Sequence, residues 1–126
     1  MRLAPLKLAF MLLLAMHALC QSIPKCALNP VQAPQGLLEF IIELLAEAEC
    51  YVISHHSFKC IWGPTTEMDA TVTMGTPTSN GGLIPSGPPT SIDNNQVVTV
   101  PSGGAAMMVI KNPTGGTETC KLVAAL

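Results

Sequence analysis

The stretch on which the fold class depends is Leu37–Glu49, LLEFIIELLAEAE. Leucine, alanine and glutamate, which are good helix formers, supply most of it. Glu39, Glu43 and Glu47 recur every four residues, so in a helix they lie on one stripe and leave the other faces almost entirely apolar. The segment therefore predicts a helix about 20 Å long at 1.5 Å per residue.

This predicted helix gets no support from its own surface charges. No lysine lies four residues beyond any of its glutamates, and each like-charge pair costs about 0.2–0.5 kcal/mol. Its apolar arc is also wider than the ~100° stripe that a surface helix needs. The excess face has to meet the proline-rich arm before it, a second subunit, a lipid or a partner. Basic flanking residues are absent, which disfavours insertion into anionic membranes.

The rest of the chain predicts strands. In Tyr51–Trp62, Phe58, Cys60 and Trp62 share one face at a period of two, and Glu67–Met74 alternates strictly between polar and apolar residues. Three further strands follow, over 96–100, 105–111 and 118–123. The expected fold is α+β, with one N-terminal helix packed on a small antiparallel sheet of four or five strands.

The segment 75–91, GTPTSNGGLIPSGPPTS, differs in composition from its surroundings. Nearly all of it is glycine, proline, serine or threonine, which bury little surface. It is expected to be a long flexible loop, and its hydroxyl groups are candidates for O-linked sugars.

The first twenty residues have the features of an export signal. Arg2 and Lys7 give a basic start, Leu8–Met16 is apolar, and small residues precede a plausible cut before Gln21. The apolar run is shorter than the ~20 residues that span a bilayer. We therefore expect a secreted, extracellular protein whose residues 21–126 form a single small domain without a membrane span.

Four cysteines remain after such a cleavage: Cys26, Cys50, Cys60 and Cys120. An even number in an exported chain implies two disulfides, with three possible pairings. The favoured pairing joins Cys50 to Cys60 and Cys26 to Cys120, because these bonds clamp the helix end to the next strand and tie the domain ends together. If Cys20 were retained, it would leave an odd thiol for an intermolecular bond.

Charge argues against a nucleic-acid partner. After residue 20 the chain has four lysines, no arginine and eight acids, a net charge of −4. Nucleic-acid binding requires clustered basic residues that neutralise phosphates, and four scattered lysines do not supply them.

No motif indicates an enzyme or a cofactor. The adjacent His55 and His56 between two cysteines are weak metal candidates, because the spacing C-x4-H-H-x3-C differs from zinc knuckles and export favours oxidised thiols. An exposed loop pair is the simpler interpretation, and a pH sensor is another. Glu67 and Asp69 share a strand face, where solvated carboxylates are expected rather than a glycosidase pair. No catalytic residue, metal or cofactor is predicted.

The leading hypothesis is therefore a non-enzymatic interaction protein that binds an extracellular or cell-surface partner. Its expected contact surface combines the apolar helix face with two aromatic residues: Leu38, Ile41, Leu45, Phe58 and Trp62. An alternative is a carrier that holds a small apolar ligand between the helix and the methionines Met68, Met74, Met107 and Met108, since methionine fills irregular space. A structural matrix component is a third hypothesis and a hydrolase a fourth, and self-association stays open.

Overall fold

The computed structural model describes residues 23–32 and 37–125, and this part of the chain contains strands and turns but no α-helix. The predicted α+β fold is therefore wrong, because the described chain is all-β. Its strands are β1 (Asn29–Pro30), β2 (Leu37–Leu44), β3 (Glu49–Ser54), β4 (Phe58–Trp62), β5 (Asp69–Pro77), β6 (Leu83–Pro85), β7 (Thr90–Ile92), β8 (Val97–Val98), β9 (Ala105–Lys111) and β10 (Glu118–Ala125).

The segment predicted as a helix is instead strand β2 followed by a turn. Ile42 and Leu44 are buried, whereas Glu43 between them is exposed, as a two-residue period requires. A spacing of four residues does not separate the two structures, because four is even and also places Glu39 and Glu43 on one strand face. Phe40, Ile41 and Ile42 favour the strand, because aromatic and β-branched residues are enriched in strands.

The alanine- and glutamate-rich end of that segment forms the connection between β2 and β3. Ala48 donates its backbone N–H to the carbonyl of Leu45 over 3.0 Å, and Glu47 adopts a left-handed conformation with φ of 60°. This turn leads the chain from β2 into β3 of the second sheet. The helix-forming residues Leu45–Ala48 therefore lie in the connection between two strands.

Two antiparallel sheets enclose the core. Sheet one has the strand order β1-β2-β10-β4-β8, and sheet two has the order β3-β9-β5-β6, with β7 also paired to β5. Side chains from the inner faces of both sheets form one cluster in which Ile42, Met108 and Ile110 are fully buried.

The strand pairs are nested around the middle of the chain. β2 pairs with β10, β3 with β9, β4 with β8, and β5 with β7. The chain thus forms one long antiparallel ribbon, and successive pairs of the ribbon belong alternately to sheet one and sheet two. This pairing defines a jelly roll, a sandwich built from a rolled two-stranded ribbon.

Several sequence predictions are confirmed at the level of single strands. β9 has the predicted bounds, β10 contains the predicted 118–123, and Phe58 and Cys60 are buried on one face of β4. The segment 75–91 is only partly a loop, because it contains the end of β5, all of β6 and the start of β7.

One glycine in this segment is required by the approach of two strands. A Cβ on Gly75 would collide with the backbone carbonyl of Ile84, the residue before its pairing partner Pro85 on β6. Only a residue without a side chain allows β6 to lie this close to β5.

A fully buried asparagine joins the two connections at one end of the sandwich. The Asn112 side-chain amide donates to the carbonyls of Leu44, Leu45 and Gly116 over 3.1, 3.0 and 2.7 Å. Its Oδ1 accepts the backbone N–H of Thr114 over 2.9 Å. The turn after β2 and the connection between β9 and β10 are therefore held by one side chain whose polar atoms are all satisfied.

The predicted export signal, its cleavage site and Cys20 lie outside the described residues. Among the residues that are described, none forms a helix long and apolar enough to cross a bilayer.

Candidate functional site

The outer face of sheet two carries a groove with a volume of about 500 Å³ and an apolar floor. Its floor is formed by Tyr51 and Ile53 of β3 and by Met107 and Val109 of β9. These four residues are cross-strand neighbours, with Tyr51 opposite Val109 and Ile53 opposite Met107. Because side chains alternate along a strand, Val52 and Met108 between them face the core, so both faces are apolar over Tyr51–Ile53 and Met107–Val109.

The chain segment before β1 forms one wall of the groove. Tyr51 donates its backbone N–H to the carbonyl of Pro24, and Cys26 donates its own to the carbonyl of Tyr51, both over 2.9 Å. This places Lys25 beside Tyr51 in a parallel bridge at the free edge of β3. The disulfide between Cys26 and Cys50 fixes the same segment covalently.

The turn between β5 and β6 forms the opposite wall and contributes Asn80, Gly81, Gly82 and Leu83. Thr78 closes this turn, because its backbone N–H donates to the Gly82 carbonyl over 3.0 Å and its hydroxyl accepts the Gly82 N–H over 2.8 Å. Gly81 has a φ of 82°, a conformation that glycine adopts without strain.

A second recess, of about 320 Å³, adjoins the groove beside the segment before β1. It shares Lys25, Tyr51, Ile53 and Gly81 with the first and is also lined by Cys26, Leu28, Val52 and His55. Among the described residues that line the two recesses there is no carboxylate, whereas Lys25 supplies a positive charge. In a chain with an acidic balance, this cleft has an apolar floor and a cationic rim.

The predicted contact surface is not assembled as expected, since it required a helix. Leu38 is exposed near the start of β2, Leu45 is exposed just after its end, and Ile41 is half-buried in sheet one. Phe58 is buried in the core, and Trp62 is half-buried against it. The five side chains do not share one face.

The four methionines of the carrier hypothesis are also separated. Met68 and Met108 are buried between the sheets, and Met74 is half-buried against the same core. Met107 alone among them lines the groove.

The favoured disulfide pairing is wrong. The structure bonds Cys26 to Cys50, so neither Cys50–Cys60 nor Cys26–Cys120 can form in this arrangement. Cys60 and Cys120 are buried thiols whose sulfur atoms lie 3.8 Å apart. The hydrogen bond to Cys120, then burial and the charge of that neighbour, raise the pKa of Cys60 far above its ordinary range.

The remaining candidates lie at exposed positions. His55 and His56 occupy the bend after β3, where the Ser54 hydroxyl donates to the carbonyl of His56 over 2.6 Å. In the described ranges no three histidine, cysteine, aspartate or glutamate side chains converge as metal ligands would. Glu67 and Asp69 are both exposed at the start of β5.

Sequence reasoning missed the groove because its parts are distant in the chain. One signal was available: Tyr51–Ile53 and Met107–Val109 are apolar at every position, although an antiparallel strand with one solvated face alternates. The covering of that outer face by the residues before β1 and by the β5–β6 turn follows only from the folded topology.

Comparisons with known proteins identify no family for this chain. No protein-family model matches it, and no curated protein matches it either.

Solved structures resemble it in outline. A cupin domain from Bordetella pertussis has 10% identity and a TM-score of 0.46, over 82% of this chain and 96% of that one. An RmlC-like cupin family protein with a double-stranded β-helix fold, from Methanocaldococcus jannaschii, has 15% identity and a TM-score of 0.46 over 80% of each chain. A mitogen derived from Yersinia pseudotuberculosis has 16% identity and a TM-score of 0.43, over 71% and 85%. The jelly-roll assignment rests on the strand pairing described above.

Proposed function

We propose that the protein is a secreted, non-enzymatic binding protein that carries a small apolar ligand with an anionic group in the groove on sheet two. The single observation behind this proposal is the groove itself, about 500 Å³ in volume with an apolar floor. Small-molecule sites typically measure about 300–1,000 Å³ and combine apolar walls with a few polar groups.

The floor favours an apolar ligand body. Apolar side chains line the groove, among them Ile53, Leu83, Met107 and Val109. Burying apolar surface contributes roughly 25 cal/mol per Å², so a ligand that covers these side chains gains affinity from the contact alone. Methionine at the centre of the floor adapts to different ligand shapes.

The charge of the rim favours an anionic group at one end of the ligand. Lys25 lines both recesses, and within the described lining no acidic side chain opposes it. A carboxylate or sulfonate beside this ammonium group gains a favourable interaction that a cationic group does not. The ligand class is therefore an amphipathic anion rather than a hydrocarbon.

The lining favours binding over catalysis. A hydrolase needs a nucleophile beside a positioned base. The described residues around the two recesses include no serine, threonine or free cysteine, and the hydroxyl of nearby Ser54 is bonded to the main chain of His56. The disulfide that supports the wall is of a kind that persists in oxidising compartments, which supports secretion.

Binding of 1-anilinonaphthalene-8-sulfonate, which joins an apolar body to an anion, tests the proposal. Ile53→Glu places a charge on the groove floor, and we expect it to weaken binding of the probe about tenfold or more. Val97→Glu is the matched control, because Val97 is 61% exposed on β8 of the other sheet. Equal probe binding by wild type and Ile53→Glu, with cooperative unfolding retained in both, would contradict the proposal.

A second candidate function, recognition of an extracellular protein, is favoured by a smaller feature on sheet one. Leu37, Val97 and Val123 line an apolar recess of about 160 Å³ beside Lys59. This volume suits one large apolar side chain of a partner rather than a whole ligand. Comparative capture from extracellular fluid tests it: the partner should be retained by wild type and Ile53→Glu but lost by Val97→Glu. Retention by all three proteins would reject this surface.

A further inference from the structure

Two buried cysteines meet between the central strands of sheet one. Cys60 lies on β4 opposite Leu122, and Cys120 lies on β10 opposite Trp62, so the cysteines are diagonal neighbours across one strand pair. Their side chains are 1% and 2% exposed, and their sulfur atoms are 3.8 Å apart.

We propose that Cys60 and Cys120 form a second disulfide in the mature protein, which then contains the pairs Cys26–Cys50 and Cys60–Cys120. Among the cysteines of the described chain, these two are the ones without a disulfide. The bond between Cys26 and Cys50 removes the other two as partners. The inference is independent of the ligand groove, which lies on the other sheet.

The geometry of the strand pair allows this bond. Two sulfur atoms in a disulfide are about 2.05 Å apart, so the sulfurs have to approach by roughly 1.8 Å. Diagonal neighbours are farther apart than residues directly opposite, but strand twist brings one of the two diagonals closer. The 3.8 Å contact between the sulfurs of Cys60 and Cys120 identifies theirs as the close diagonal, and the remaining approach has to come from side-chain rotation and a small movement of the two strands.

The reaction is thiol–disulfide exchange with an oxidant of the disulfide class, either a small-molecule disulfide or an oxidoreductase. One cysteine thiolate attacks the oxidant's disulfide, forms a mixed disulfide and releases one thiol. The second cysteine thiolate then attacks the mixed disulfide, forms the Cys60–Cys120 bond and releases the other thiol. The two cysteines lose two electrons and two protons, and the oxidant takes up both as two thiols.

The environment of the pair dictates when this reaction occurs. Attack requires a thiolate, whereas the buried contact holds Cys60 as a neutral thiol by raising its pKa. A bulky oxidant also cannot reach side chains that are almost completely buried. The bond therefore forms before the two sheets close over the core, and a chain that folds in reduced form keeps two unreactive thiols.

Peptide mapping under non-reducing conditions tests the inference on protein secreted by cells. We expect a peptide that links Cys60 to Cys120, and an intact mass about 4 Da below that of the fully reduced chain, because each disulfide removes two hydrogens. Alkylation of both cysteines after denaturation without reductant would overturn the proposal. A peptide that links either of them to Cys26 or Cys50 would overturn it equally.

A matched pair of variants adds a second measurement. Cys60→Ala/Cys120→Ala removes the proposed bond, and secreted wild type should melt at least about 10 °C higher than this variant. After refolding under reducing conditions the difference should become much smaller, because neither protein then contains the bond. An equal difference in melting temperature under both conditions would assign the effect to packing and reject the disulfide. If the variant fails to fold, the peptide map alone decides.

Discussion

Cys26 donates its backbone N–H to the carbonyl of Tyr51 over 2.9 Å, while its side chain is bonded to Cys50, the residue just before Tyr51. One residue of the segment before β1 is thus attached to two consecutive residues of β3. This double attachment fixes the wall that carries Lys25, and the shape of the groove depends on it.

The first prediction concerns this attachment. Cys26→Ala/Cys50→Ala should lower the free energy of unfolding by about 3 kcal/mol, because it reopens a loop of 24 residues. It should also weaken binding of anilinonaphthalene sulfonate, since the wall is then held by hydrogen bonds alone. Denaturant unfolding and a fluorescence titration measure the two effects. Unchanged probe affinity in a folded variant would show that the wall does not contribute to the site.

The second prediction concerns charge at the rim of the groove. Lys25→Gln should weaken binding of the anionic probe about two- to fivefold, because it removes a partly solvated charge interaction. Binding of the neutral probe N-phenyl-1-naphthylamine should change little, which makes it the control. Equal losses for both probes would mean that Lys25 contributes packing rather than charge.

The third prediction concerns the buried amide that joins two connections. Asn112→Ala should lower the free energy of unfolding by about 2–4 kcal/mol, because three backbone carbonyls lose their donor in a buried site. Asn94→Ala is a comparison at a half-buried position, where the amide pairs with the backbone N–H and carbonyl of Trp62 over 2.9 and 2.8 Å. Asn94→Ala should lower the free energy of unfolding by less, about 1–2 kcal/mol, because water reaches the freed backbone groups more easily. Denaturant unfolding of both variants ranks the two sites.

The fourth prediction concerns the contact between β5 and β6. Gly75→Ala should destabilise the protein by about 1–3 kcal/mol, because the added methyl group meets a backbone carbonyl that cannot rotate away. Gly87→Ala is the matched control, since a Cβ at Gly87 meets no atom within 4 Å. Thermal melting of the two variants should separate clearly, and equal stability would contradict the close approach of β6.

The fifth prediction concerns pH and applies to protein refolded with Cys60 and Cys120 reduced. The pKa of Cys60 is raised in the folded state, so at alkaline pH the unfolded chain releases a proton that the folded chain keeps. The stability from this group is complete below the ordinary thiol pKa of about 8.5 and is lost as the pH rises above it. Unfolding at pH 7 and pH 10 measures this loss. The Cys60→Ala/Cys120→Ala variant should not lose stability in this way between pH 7 and pH 10. An equal loss of unfolding free energy in that variant would assign the effect to other titratable groups.

The sequence predicted individual strands better than their arrangement. Ala105–Lys111 was recognised because its apolar run is bounded by glycine and proline turns. The helix predicted over Leu37–Glu49 is wrong, because its glutamates are four residues apart, a spacing that fits either structure, and Leu45–Ala48 add helix-forming composition. Tertiary pairing with β10 decided between the two alternatives.

The groove and the cysteine contacts were beyond sequence reasoning for a different reason. Tyr51, Met107 and Lys25 line one groove only after β3, β9 and the segment before β1 have been placed side by side. In the same way, Cys60 approaches Cys120 across 60 residues of chain, because β10 pairs with β4. Local patterns carry no information about such contacts, and disulfide pairing is not fixed by cysteine spacing.

The nested strand pairs also determine when the molecule can acquire its structure. β10 lies between β2 and β4, so sheet one lacks its central strand until Glu118–Ala125 is available. A chain that has been made only as far as β9 therefore has every strand of sheet two but cannot complete sheet one. Contacts between such distant parts of a chain form slowly, so sheet one is completed only after every other strand has been made.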